Sequence, residues 1–403
     1  MKRHVLHHLA VFAVTILFTV TACEVADREY PQTEVDPTVE SYFSDDYAEA
    51  RIKFLDAALS TRASLSTYQN TAAEGLFTDV ASLNTEGAEF LLVIASGTHG
   101  IEGFAGSAIQ NGLLRSGVLD DLPPKVGVVL VHAINPYGFT QLRRTDEQNI
   151  DVNRNFVDHS QPCPLNDGYA ALEDIIAPPV LSVWEDTKAK ITIWRFRMLH
   201  GKRALQHAVS AGQYAFRHGL FFGGNEASWS NQSFHQIVAD HFSHSRQLIL
   251  LDIHTGLGPF GNAQIISNES PTSSSFKRAT QIWGEDFDVA STIDDVGYSV
   301  QLSATLKSAL PRMIPDTRVT AVTLELGTYS SADVFWALRK ENWAHHHSPT
   351  DHPLFLAAKA ELKESFYPNS ATWRRQVWNH GYHAVRLGLE TLTRAIGTSA
   401  TNR

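Results

Sequence analysis

Hydrophobic positions along this chain gather into short unbroken runs, separated by long stretches in which they recur at helical spacing. The run over 89–95 is apolar at six consecutive positions and closes at Ser96-Gly97, as expected of a strand buried on both faces. The runs over 126–134, closed by Asn135-Pro136, over 247–253 and over 319–326 share this character. Between the first two, Phe104, Ile109, Leu113 and Leu114 mark a helix that stops at Gly117. Parallel strands need long crossovers, and the spacing of the four runs supplies them. The pattern therefore predicts an α/β architecture on one largely parallel sheet, beginning near Ser41. Helical spacing also predicts an insertion over about 178–244 and a closing helix over 373–396.

The first residues follow a different pattern. Lys2 and Arg3 precede an apolar stretch from Leu9 to Val20, shorter than the roughly 20 residues of a spanning helix but of the length of an export signal. It ends Val20-Thr21-Ala22-Cys23 and resembles the bacterial lipobox. That resemblance implies a signal peptide over 1–22, lipidation of Cys23 and an anchor that holds the protein on a membrane of the cell envelope without crossing it. Ordinary signal cleavage, giving a periplasmic or secreted protein, is the alternative. The polar segment to residue 40, with Pro31 and Pro37, reads as a tether, which leaves 41–403 as the folded body. If Cys23 is acylated, Cys163 is expected as a free thiol.

Composition narrows the field. A net charge of −10 argues against a general nucleic-acid binder, which needs an excess of basic residues to displace counterions from phosphates. Two cysteines exclude a disulfide scaffold, and 43% hydrophobic residues suffice for a large core.

The chemistry-bearing residues fall at the ends of the predicted strands, where open α/β sheets bind ligands. The first strand runs into Gly97-Thr98-His99-Gly100-Ile101-Glu102-Gly103, the third into Asp252-Ile253-His254-Thr255-Gly256, and the fourth contains Glu325 before Gly327. Two imidazoles and one carboxylate are a common ligand set of hydrolytic zinc sites, with one position left for water. Individually, His254 also reads as a satisfied core histidine and Glu325 as the partner of a buried arginine. The chain has no Gly-x-Ser-x-Gly elbow, no His-Glu-x-x-His and no phosphate-binding Gly-Lys loop.

The segment Arg143-Arg144-Thr145-Asp146-Glu147-Gln148-Asn149-Ile150-Asp151-Val152-Asn153-Arg154-Asn155-Phe156 adds an Asp-x-Asn-Arg-Asn motif. With it the chain resembles the zinc carboxypeptidase superfamily, in which this motif follows His-x-x-Glu and precedes a later His and Glu. Asn135-Pro136-Tyr137-Gly138-Phe139, Gly212-Gln213-Tyr214 and Gly219-Leu220-Phe221-Phe222-Gly223-Gly224 resemble a poorly characterised bacterial branch, itself similar to succinylglutamate desuccinylase and aspartoacylase. The resemblance implies a single three-layer α/β/α domain with a mostly parallel mixed sheet. It implies one zinc ion on His99, Glu102 and His254, with Glu325 as general base. Asn153 and Arg154 correspond to the grip on a substrate carboxylate, and Asp151 to the carboxylate that orients His99. Arg144 corresponds to the oxyanion-stabilising arginine, with Arg143 as its rival for a place at the substrate.

Three functions fit these residues. The first is a zinc hydrolase that cleaves a peptide or amide bond beside a free carboxylate. The second is an aspartoacylase-like deacylase of N-acyl amino acids, and the third a non-catalytic, peptide-binding surface lipoprotein. Other features are expected to be structural. His345-His346-His347 reads as a solvated loop, Cys163 and Tyr298 as incidental, and Trp184, Trp194, Trp229 and Trp283 as core or rim packing.

Overall fold

Eight strands build one mixed sheet: β1 Ser64–Gln69, β2 Phe77–Leu83, β3 Phe90–Ala95, β4 Val126–His132, β5 Gln247–Thr255, β6 Ala263–Ser267, β7 Asp288–Ser291 and β8 Arg318–Leu326. The computed structural model describes residues 39–293, 302 and 304–400; the apolar leader, Cys23 and Tyr298 lie outside the described residues. The strand order is β1-β2-β4-β3-β5-β8-β6-β7. The four strands predicted from their apolar runs form its parallel centre, β4-β3-β5-β8. Antiparallel β2 and β6 flank that centre.

Alternation along the central strands feeds two cores. Leu92 and Ile94 of β3 join Phe54, Ile109, Trp283 and Trp373 under the helices Tyr47–Leu59, Gly103–Arg115, Ser274–Trp283 and Ala371–Ala400. Leu91 and Val93 join Phe234, Ile237, Leu306 and Leu310 under the helices Trp229–His241 and Leu306–Met313. Each such side chain contributes roughly 1.5–3 kcal/mol on full burial, which is why strands apolar on both faces settle at the centre of the sheet. The result is the expected three-layer α/β/α domain.

Several expectations need correction. Val39 and Tyr42 of the short helix Val39–Tyr42 are buried. The insertion is not helical throughout. The helix Val183–Ser210 breaks at Gly201 (φ +87°), and 211–228 runs as irregular chain before Trp229–His241. His345, His346 and His347 form the last turn of the helix Ser331–His347 rather than a loop. That helix is started by Ser330, whose side chain accepts from the Asp333 N–H. Trp283 is core, but Trp184 and Trp194 do not pack: they stand 70% and 57% exposed. Their helix instead turns Ala189 and Phe196 to the body.

Candidate metal centre

The chain leaves β3 through Ser96-Gly97-Thr98 and winds into a single turn of 3-10 helix, Gly100–Glu102, with His99 at its start. The backbone N–H groups of Gly100 and Ile101 donate to the carbonyls of Arg144 (3.3 Å) and Arg143 (2.8 Å), which fastens the His99–Glu102 turn to the Asp151 segment. Gly100 has to be glycine, since a Cβ there would lie 2.0 Å from the Gly138 carbonyl carbon. On the neighbouring strands His254 and Glu325 are register partners in the parallel β5–β8 ladder, so their side chains leave the same face side by side.

These residues converge. His99 Nδ1 lies 2.9 Å from Glu102 Oε1, His254 Nδ1 lies 2.8 Å from Glu102 Oε2, and the two Nδ1 atoms are 3.1 Å apart. One ligand atom from each of the three residues lies within 4.8 Å of the others, and all three side chains are buried. The distal nitrogens face carboxylates, His99 Nε2 towards Asp151 (3.2 Å) and His254 Nε2 towards Asp252 (2.8 Å). A carboxylate behind a histidine puts the ring proton on the distal nitrogen and leaves Nδ1 as a ligand. Thr98 Oγ1 donates to Asp252 (2.8 Å) and holds that carboxylate in turn. The residues present therefore fit a divalent cation bound by two histidines and one glutamate, a set typical of zinc with an open coordination position.

The electrostatics agree. Burial would raise the Glu102 carboxyl, but His99 and His254 outweigh it and hold it far below the carboxylate range. Burial would likewise discharge His254, yet Asp252 and Glu102 raise it to about 10. The pocket thus favours positive charge between its ligands. Glu325 behaves oppositely. Burial first, and then the Glu102 charge, push it up to about 7, while its Oε1 accepts from the Leu257 N–H (2.9 Å).

The two adjacent arginines part company. Arg144 reaches the centre, donating to Asp151 (2.9 Å) and Glu102 (3.0 Å), with Nη2 2.8 Å from His99 Nε2. The His99 tautomer decides this last contact: a proton on Nε2 goes to Asp151, whereas a proton on Nδ1 leaves Nε2 to accept from Arg144. Arg143 points away from the centre. It donates to Glu341 (3.0 Å) and Asn149 (2.9 Å) in the protein interior, so the structure does not bring this sequence candidate to the His99–Glu102–His254 cluster. Asn153 stands beside His254, its Nδ2 3.3 Å from Nε2, and its Oδ1 accepts from the Leu306 N–H (3.1 Å).

Arg154 lies behind Asp151, Nη1 3.9 Å from Oδ1, and donates to the carbonyls of Ser210 through Nε (3.2 Å) and Nη2 (2.6 Å) and of Asn153 through Nη1 (3.0 Å). Its surroundings come from the irregular segment 211–228, whose role sequence patterning missed. The Asp151 N–H donates to the Phe222 carbonyl (2.7 Å), and Tyr214 Oη donates to the Arg154 carbonyl (2.6 Å). Phe221 adopts a left-handed conformation (φ +56°), which is uncommon for a residue with a side chain. Its ring lies 5.3 Å from the Arg144 guanidinium carbon and 5.8 Å from that of Arg154. The glycines and aromatics of the 212–224 motif were the available signal.

Comparison with solved structures places this architecture. It is similar to carboxypeptidase A from Helicoverpa armigera, at 12% identity over 87% of this chain and 74% of that one, with a TM-score of 0.50. Bovine thrombin-activatable fibrinolysis inhibitor in complex with tick carboxypeptidase inhibitor is similar at 8% identity over 88% and 99% of the chains (TM-score 0.49). A metallo-carboxypeptidase from Pseudomonas aeruginosa is similar at 14% identity over 86% and 71% (TM-score 0.43). The first of these shows a carboxypeptidase-like fold. No curated protein matches the sequence. The model of a family described as a protein of unknown function, DUF2817, matches residues 43–380, and the chain belongs to that family.

Proposed function

We propose that this protein is a zinc-dependent hydrolase of the metallocarboxypeptidase type, cleaving a peptide or amide bond next to a free carboxylate. One observation carries the reading: His99 Nδ1, His254 Nδ1 and the Glu102 carboxylate form a buried cluster, and each imidazole is backed by its own carboxylate. When bound there, zinc supplies Lewis acidity and lowers the pKa of a coordinated water from 15.7 to about 7.

The chain's own residues do the rest. Glu325 accepts a proton from the attacking water and returns it to the leaving nitrogen, so the broken C–N bond gives a carboxylic acid and an amine. Its raised pKa suits a group that must both take and give a proton near neutrality. Arg144 offsets negative charge developing on the carbonyl oxygen. Arg154 donates three bonds to the protein, which leaves two of the five N–H donors of a guanidinium for a substrate carboxylate. Lipidation at Cys23 and an envelope location belong to the same proposal and rest on the leader sequence alone.

The test is turnover of N-blocked peptides and of N-acyl amino acids by the zinc-loaded protein and by Glu325→Gln. Hydrolysis of blocked peptides that the variant loses while keeping its zinc is the expected result. Turnover of N-acyl amino acids alone would make the protein a deacylase, and turnover of neither class would overturn the proposal.

A further inference from the structure

The helix Val183–Ser210 presents its most hydrophobic side to solvent. At 100° per residue, Val183, Trp184, Ile191, Trp194 and Met198 fall within one arc of about 100°. These five side chains are 84%, 70%, 55%, 57% and 67% exposed. The opposite arc holds the helix to the body through buried Ala189, through Phe196 against the core and through the Asp186–Arg339 ion pair (2.6 Å). The exposed stripe is therefore a fixed feature of a docked helix and not the inner face of a detached one.

Basic residues border the stripe on both sides. Lys188 and Arg195 follow one edge, Lys190 and Arg197 the other, and all four are exposed. Between 183 and 203 the chain has six basic and two acidic residues, a local charge of +4 in a protein whose net charge is −10. Two tryptophans on an apolar stripe, flanked by long cationic side chains that can lie along it, is the composition of a helix resting in a membrane–water interface. No helix among the described residues is long and apolar enough to cross a membrane, so contact would be along the surface. A second copy of the chain is a poor occupant, since apposing two such stripes would bring their cationic borders together.

We propose that the face formed by Val183, Trp184, Ile191, Trp194 and Met198 docks on an anionic phospholipid surface, with Lys188, Lys190, Arg195 and Arg197 at the headgroups. This contact is separate from lipidation at Cys23 and from the hydrolytic centre. It would hold the folded body in one orientation on the bilayer.

The test uses the full chain with Cys23→Ser and Cys163→Ser, carrying an environment-sensitive nitrobenzoxadiazole label either at Met198→Cys or at Lys277→Cys. Lys277 is an exposed control on the helix Ser274–Trp283. Vesicles of phosphatidylcholine with phosphatidylglycerol should give a blue shift and a several-fold rise in emission at 198 and not at 277. Pure phosphatidylcholine should give little change. Adding Lys188→Glu, Arg195→Glu and Arg197→Glu should remove the response. No response at 198, an equal response at 277, an equal response to uncharged vesicles, or a rise without vesicles that grows with protein concentration would each overturn the proposal. The last outcome would assign the stripe to self-association.

Discussion

Glu325 illustrates how position in the sheet sets chemistry at the scale of one residue. Burial and the neighbouring Glu102 charge raise it to about 7, so near neutrality its carboxyl is divided between two protonation states. Only the ionised form accepts a proton. Activity should therefore fall as pH drops through this value, and a cation on His99, Glu102 and His254 would move the midpoint lower. In a pH profile of kcat/KM the acid limb is expected at or below about pH 7; a rate that rose as pH fell through this region would contradict the assignment. His99, Glu102, His254 and Glu325 were legible in sequence because they fall in the last residues of an apolar run or in the turn that follows one. Asp252 was missed although it precedes His254 by two positions and so shares its face of β5. The choice between Arg143 and Arg144 was not legible, because neighbours in a turn project differently and the partner that claims Arg143, Glu341, is 198 residues away.

Among the elements, the two helices after β8 illustrate how a charge can hold a turn in place. Glu341 on the helix Ser331–His347 accepts from Arg143 (3.0 Å) and from Lys359 (2.6 Å) on the helix Pro353–Phe366, with all three side chains buried. Arg143 in turn carries the backbone carbonyl that anchors the His99–Glu102 turn. Burial opposes the Glu341 charge, but Arg143 and Lys359 hold its carboxyl below the ordinary value. Its contribution is thus present above the unfolded pKa and lost as pH falls through the folded one. Glu341→Gln leaves two buried cations without their counter-charge and should cost about 3–5 kcal/mol in denaturant unfolding. A loss below about 1 kcal/mol, the worth of a surface pair, would contradict this role. The edge strands escaped sequence reading for a related reason: β1, Ser64–Gln69, is mostly polar, and its place is fixed by pairing with β2. The His345–His347 turn was misread because Pro349 and Pro353 suggested a loop, whereas the first proline lies just beyond the helix end.

Across the whole molecule, two hydrophobic cores on either face of one sheet account for the fold without help from a metal. The centre is a set of side chains placed on that scaffold by three strand ends and one turn. A bound ion should add stability only through its affinity for the native state, and ligand substitutions should leave the domain folded. Zinc content therefore separates a metal centre from a buried salt-bridge cluster most directly. The purified chain is reconstituted with zinc, dialysed and analysed for metal per folded molecule, with circular dichroism as the check on folding. We predict one zinc per wild-type chain, the same for Glu325→Gln, and none for His99→Ala or His254→Ala in folded protein. Equal zinc in the histidine variants and the wild type, or no retained zinc in the folded wild type, would contradict the account.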